Sequence, residues 1–226
     1  MKTKKLKNLI KKTREELNWP VEELTEESGL VRIFSDPTAC THTLYLPKAP
    51  PEGGPVHELL YLHELGHALL CERVHPFFSN GFPIAGLDKK LLPAVAPVLN
   101  AAGDWFVGHW FMECASALAM EELNKEYEAT AELMTHAEPP SVEKFFVAVL
   151  IIAQSVKYLK KQVNCSGFLD AAVQAFLSVP PENPTVQKYE KLVNLLLSLG
   201  APYRCRRLKS GEHEVLEFYP AASAGQ

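Results

Sequence analysis

His63 and His67 stand four residues apart, and Glu64 follows the first of them directly, within Tyr-Leu-His-Glu-Leu-Gly-His-Ala-Leu-Leu. On an α-helix a four-residue separation is a rotation of about 40° and a rise of about 6 Å, so both imidazoles leave one face, one turn apart. Two such nitrogens can converge on one divalent ion. Zinc accepts imidazole at about 2.0–2.1 Å, and a catalytic zinc keeps three protein ligands and a water. Glu64, about 100° around the helix from His63, cannot lie behind the histidines, but it can reach a water in the open position and take its proton. The expected chemistry is metal-assisted hydrolysis with Glu64 as general base.

A third ligand is needed, and Leu-Asn-Ala-Ala-Gly-Asp-Trp-Phe-Val-Gly-His-Trp-Phe, residues 99–111, offers candidates. Asp104 is one of four aspartates in the chain and sits in an otherwise apolar helical stretch. A carboxylate there is costly to bury unless it is paired or on a metal. Ala101, Ala102, Gly103 and Gly108 surround it with small side chains that would let its helix approach the helix of the histidines. Asn100, one turn earlier, faces the same way and is a candidate to steady a ligand by hydrogen bonding. His109 and Glu113, themselves four apart, are the competing ligands, although His109 is rotated by about 140° from Asp104 unless the helix breaks at Gly108. Cys71, one turn beyond His67, is either a further donor or a buried thiol.

The elements that must position these groups can be read from periodicity and breakers. Residues 4–17 predict a basic amphipathic helix, with Leu6, Leu9, Ile10 and Leu17 on one face. Leu30 to Phe34 and Thr41 to Leu46 predict two strands around Ser-Asp-Pro. Lys-Ala-Pro-Pro-Glu-Gly-Gly-Pro, 48–55, breaks regular structure, and a helix from Pro55 to about Arg73 carries the two histidines at its middle. After a loop at 76–87, residues 91–134 read as more than one helix, given Pro93, Pro97, Gly103 and Gly108. Helices at 141–162, 167–178 and 185–199 follow, and Tyr203–Leu208 with Glu214–Tyr219 predict a closing hairpin.

His63-Glu64-Leu65-Gly66-His67 followed by Asn100-Ala101-Ala102-Gly103-Asp104 resembles the zincin (HExxH) metallopeptidases. More narrowly, it is similar to a group of bacterial metallopeptidases in which HExxH precedes a helix bearing Asn-x-Ala-x-Asp. The resemblance covers roughly residues 41–112. It implies His63, His67 and Asp104 as zinc ligands and Glu64 as catalytic base. It also implies a small sheet whose edge strand holds an extended peptide, and Thr43, Leu44 and Tyr45, before Pro47, are the candidate edge. The fold class expected is α+β, mainly helical: a zincin-like core with a small β-sheet on the HExxH helix, and a helical C-terminal part ending in a β-hairpin. The domains expected are 1–140 for the core and 141–226 for the C-terminal part, packed as one unit. A zinc-stabilised, catalytically silent interaction module is the alternative; an intact Glu64 weighs against it, since a structural site needs no base and closes with a fourth protein ligand.

Bulk composition narrows the partners. The 226 residues carry a net charge of −4, which disfavours a nucleic-acid protein and leaves only the basic N-terminal helix as an accessory contact. Five scattered cysteines without a C-x-x-C pair suit free thiols and a reducing compartment. The basic N-terminus lacks an apolar stretch of the secretory type, and the longest apolar run, Phe145 to Ala153, falls short of the roughly 20 residues that span a bilayer. A cytoplasmic zinc peptidase acting on a peptide or protein, without membrane association, is the expectation.

Overall fold

The computed structural model describes residues 2–27, 31–48, 55–79, 81–133, 141–211 and 213–221. The chain is α+β and mainly helical, and it divides into two compact units, Met1–Phe82 and Pro83–Gln226. The boundary between these compact units falls in the loop at 76–87. Expectations for Leu30, for 49–54 and for the break at Pro139-Pro140 lie outside the described residues. Among the described residues no helix is long and apolar enough to cross a membrane.

The first unit begins with α1 (Lys2–Glu15), which buries Leu6 and Thr13 and keeps Lys4, Lys5, Lys7, Lys11 and Lys12 exposed. Three strands follow: β1 (Val21–Glu26), β2 (Arg32–Asp36) and β3 (Thr41–Pro47). β1 was not anticipated, because Val-Glu-Glu-Leu-Thr-Glu is too acidic to stand out as a strand, and its exposed middle reflects this. The order in the sheet is β1-β3-β2, with β3 parallel to β1 and antiparallel to β2. The β2–β3 turn is fixed by Asp36, whose carboxylate accepts the N–H groups of Thr38 and Ala39 at 2.8 and 3.0 Å. α2 (Pro55–Arg73) packs on this sheet through Tyr61, Leu65 and Ala68, which join Val31, Ile33 and Leu44 in one buried cluster. Ile10 of α1, Leu17 and Val21 close its margin. A 3-10 turn, Pro76–Phe78, follows α2 and buries both phenylalanines.

The second unit is built on α3 (Leu92–Leu133), α4 (Val142–Tyr158), α5 (Gly167–Leu177) and α6 (Val186–Leu197). α3 runs through Pro97, Gly103 and Gly108 without interruption and breaks at Ala115 (φ −137°, ψ 33°), where two helices meet at a kink, so the stretch is more than one helix, as expected, with the break at a residue that was not anticipated. A proline this early in a helix removes few bonds, which is why Pro93 and Pro97 are poor guides to a break. The indole N–H of Trp105 donates to Val179 O at 2.8 Å, and the hydroxyl of Tyr189 donates to Leu99 O at 3.2 Å. These bonds, all inside the helical packing of α3 with its C-terminal neighbours, explain why α3 belongs with residues beyond 140. Ser141 and Thr185 cap α4 and α6, their hydroxyls accepting the N–H groups of Lys144 and Lys188. β5 (Tyr203–Ser210) and β6 (His213–Pro220) form the expected hairpin, and β4 (Ile84–Ala85) adds parallel to β6. Gly86 follows β4 at φ +73°, where a Cβ would stand 2.1 Å from Phe218 O; no other residue fits.

Candidate metal centre

Three directions around α2 separate its duties. At about 100° per residue, Tyr61, Leu65 and Ala68 form one stripe, His63 and His67 project from the opposite side, and Glu64 points between the two. The stripe is buried against the sheet, His67 is 4% exposed and His63 is half-buried. Their rings lie edge to face with centroids 5.1 Å apart. The sequence expectation that the pair shares a face one turn apart is met.

His67 Nδ1 lies 2.7 Å from the carbonyl oxygen of Phe78. A carbonyl can only accept, so Nδ1 carries the proton, and in the neutral ring the lone pair sits on Nε2. A backbone acceptor behind one ring nitrogen is the usual means of aiming the other at a metal. The 3-10 turn delivers that carbonyl: His75 caps it, its Nδ1 accepting the N–H of Phe77 at 3.2 Å, and Phe77 and Phe78 are each 1% exposed. Sequence reading missed this partner, because a backbone oxygen has no residue signature; the buried Phe-Phe pair after His-Pro was the only available sign.

Glu64 is buried, at 9% exposure, and its Oε2 accepts the backbone N–H of Ile33 at 2.8 Å. That N–H turns away from β3, along the outer edge of β2. Because backbone direction alternates along a strand, the amide groups of Ser35 face the same way.

Both ends of α2 are anchored within this unit. At its N-terminal end the Tyr61 hydroxyl donates to Glu23 at 2.7 Å and accepts from Arg14 at 2.7 Å, while Arg14 also pairs with Glu23. Burial, and then the Glu23 bond, push the Tyr61 phenol upward and keep it protonated. At its C-terminal end Glu72, with a side chain 3% exposed, accepts from the backbone of Asn18 and Trp19, from the Asn18 amide and from His42 Nε2, all at 2.8–3.0 Å. Ser35 stands 2.7 Å from the other ring nitrogen of His42, and Trp19 stacks on that ring. Burial acts to raise the Glu72 carboxyl, but the His42, Trp19 and Asn18 donors hold it below its ordinary range. Cys71 proves to be a buried thiol: desolvation pushes it up to about 11, and Ser35 and Ser79 are its hydrogen-bonding neighbours. Among the described residues it is not one of the donors grouped with His63 and His67.

The remaining candidates separate cleanly. Asp104 is half-buried on α3, between the buried Gly103 and Trp105, and its charge adds to burial in raising the Tyr189 phenol. Asn100 is exposed on α3, one turn before Asp104. His109 and Glu113 are engaged with other groups. His109 Nδ1 lies 2.9 Å from the Tyr158 hydroxyl and Nε2 lies 3.4 Å from Glu113, whose side chain is 67% exposed. With α3 unbroken at Gly108, His109 keeps its rotation away from Asp104. Burial, reinforced by Glu182 and Glu113, raises the Tyr158 phenol and keeps it protonated beside His109. Gly108 faces the Gln154 amide of α4, where a Cβ would approach Nε2 to 2.2 Å, so its smallness serves that contact.

Thr43, Leu44 and Tyr45 are not an edge. They lie on β3, the central strand, with Glu22–Leu24 paired on one side and Arg32–Phe34 on the other. Pro47 ends β3 without exposing its flank, and the antiparallel edge beside Glu64 is β2. Comparisons with family models, with curated proteins and with solved structures returned no match.

Proposed function

We propose that the protein is a zinc-dependent peptidase, with His63, His67 and Asp104 as metal ligands and Glu64 as general base. The observation that supports the reading is the bond between His67 Nδ1 and Phe78 O, which leaves the opposite nitrogen as the ring's acceptor, the form in which an imidazole binds a metal. Two imidazoles and a carboxylate also form a donor set of the kind zinc takes in catalytic centres. When bound, zinc supplies Lewis-acid polarisation of a carbonyl and acidifies a water. The remaining work belongs to the chain. The Phe78 carbonyl holds the His67 ring, the buried stripe Tyr61-Leu65-Ala68 fixes the roll of α2, and Glu64 takes a proton on the oxygen not engaged by Ile33. The β2 edge, where Ser35 offers its outward amide while the Ile33 N–H is held by Glu64, is where an extended peptide pairs, beside the base. The substrate class is a peptide or an unfolded segment of a protein, and the activity suits the cytoplasm.

One observation favours a second reading. The Ile33 N–H bond makes Glu64 a bracket between α2 and β2 as well as a base, which a silent zinc-stabilised module would also use. A mixed peptide library incubated with the zinc-loaded protein and with Glu64→Gln separates the two. Cleavage by the wild type that falls at least 1,000-fold in Glu64→Gln, with zinc retained by both, supports the peptidase; zinc retained with no cleavage by either supports the module.

A further inference from the structure

The second unit contains a cavity of about 440 Å³ that has no part in the proposed metal chemistry. The first turns of α3 and α4, the start of α5 and the end of α6 enclose it. Val95, Val98, Phe145, Phe146 and Leu197 form its walls, and Phe168 and Val142, each 50% exposed, stand at its mouth. Among the described residues that line it, Tyr203 alone carries a polar side-chain group. Backbone at Gly200 and Ala201 completes the rim.

We propose that this cavity is a binding site for a small, uncharged, largely hydrocarbon molecule carrying one hydroxyl or similar group for Tyr203. Its volume lies within the roughly 300–1,000 Å³ typical of small-molecule sites, whose walls are mostly apolar with few polar groups. The chemistry of the lining excludes charge: an ion placed there would lose its water with no partner to replace it. The surroundings exclude a macromolecular occupant. A stable protein interface buries well over 1,000 Å² in total, whereas the apolar rim is bounded by the exposed Lys89 and Lys90 before Leu91 and by Glu143 and Lys144 after Val142. A face wide enough for a partner would bury those charges.

The test uses N-phenyl-1-naphthylamine, a neutral dye that fluoresces on leaving water, with decan-1-ol as competitor, on the full chain. Saturable binding at one site per chain, displaced by decan-1-ol, is expected. Gly200→Leu fills the cavity from its rim; a Cβ at Gly200 meets nothing nearer than Phe168 at 4.0 Å and the backbone there is unstrained. Ala94→Trp fills it from the exposed start of α3. Both variants are expected to keep the wild-type melting temperature and to bind the dye at least tenfold more weakly. Dye uptake that does not saturate, or equal affinity in the filled variants, overturns the proposal. So does a wild-type dimer that becomes monomeric on filling, because a second copy would then be the occupant.

Discussion

At the scale of single residues, the roles of the three motif side chains differ, and so do the outcomes of removing them. Under the proposed function, replacing His63 or His67 with alanine deletes a ligand, and zinc affinity is expected to fall by two orders of magnitude or more, read by competition with a chromophoric chelator. Asp104→Ala is expected to weaken zinc by a similar factor, while His109→Ala leaves it unchanged, because His109 is occupied by Tyr158 and Glu113. Zinc binding that survives Asp104→Ala at full strength would remove Asp104 from the ligand set. The two histidines and Glu64 were legible in the sequence because spacing alone fixes which side chains share a helical face. The Phe78 carbonyl was not, since only the fold brings residue 78 back beside residue 67.

At the scale of elements, the close approach of α3 to α4 depends on Gly108. A methyl group there would push against the Gln154 amide, which is buried at 9% exposure. Gly108→Ala should therefore cost about 1–2 kcal/mol despite the better helix propensity of alanine, because overpacking outweighs it. Pairing it with Gln154→Ala is expected to relieve most of that cost in a denaturant double-mutant cycle; additive losses would mean that the two do not meet. The helices and the terminal hairpin were legible from periodicity and from Lys-Ser-Gly-Glu. The strand order was not. Local pattern marks Thr41–Leu46 as a strand but carries no information on its neighbours, and β1, hidden by its glutamates, is what turns β3 from an edge into the centre.

At the scale of the whole molecule, stability should respond to both pH and metal. Glu72 titrates below its ordinary value of 4.5 in the folded protein, so its contribution is present above about pH 4.5 and is lost as pH falls through the lower folded value. The wild type should exceed Glu72→Gln by about 1.5–3 kcal/mol near neutrality, the usual worth of hydrogen bonds to a charged group, and the gap should close below about pH 4 in urea titrations. A gap that stays constant to pH 3 would show that the carboxylate charge is not what the Asn18, Trp19 and His42 donors hold. If zinc binds as proposed, zinc at 100 times its dissociation constant is expected to add about 2.7 kcal/mol, which for a chain of this size is a rise of roughly 5–10 °C in melting temperature, abolished by EDTA and by His63→Ala. The division at residue 82 was hidden because α3 is apolar along most of its length, and apolar character alone does not tell which helices it packs against.

The most direct measurement is anomalous diffraction at the zinc edge from crystals of the full chain grown with zinc. A single strong peak within about 2.0–2.2 Å of a nitrogen from each of His63 and His67 and of an Asp104 oxygen is the expected result. Strong peaks only at other sites, or imidazoles of His63 and His67 turned to different surroundings with no ion between them, would contradict it.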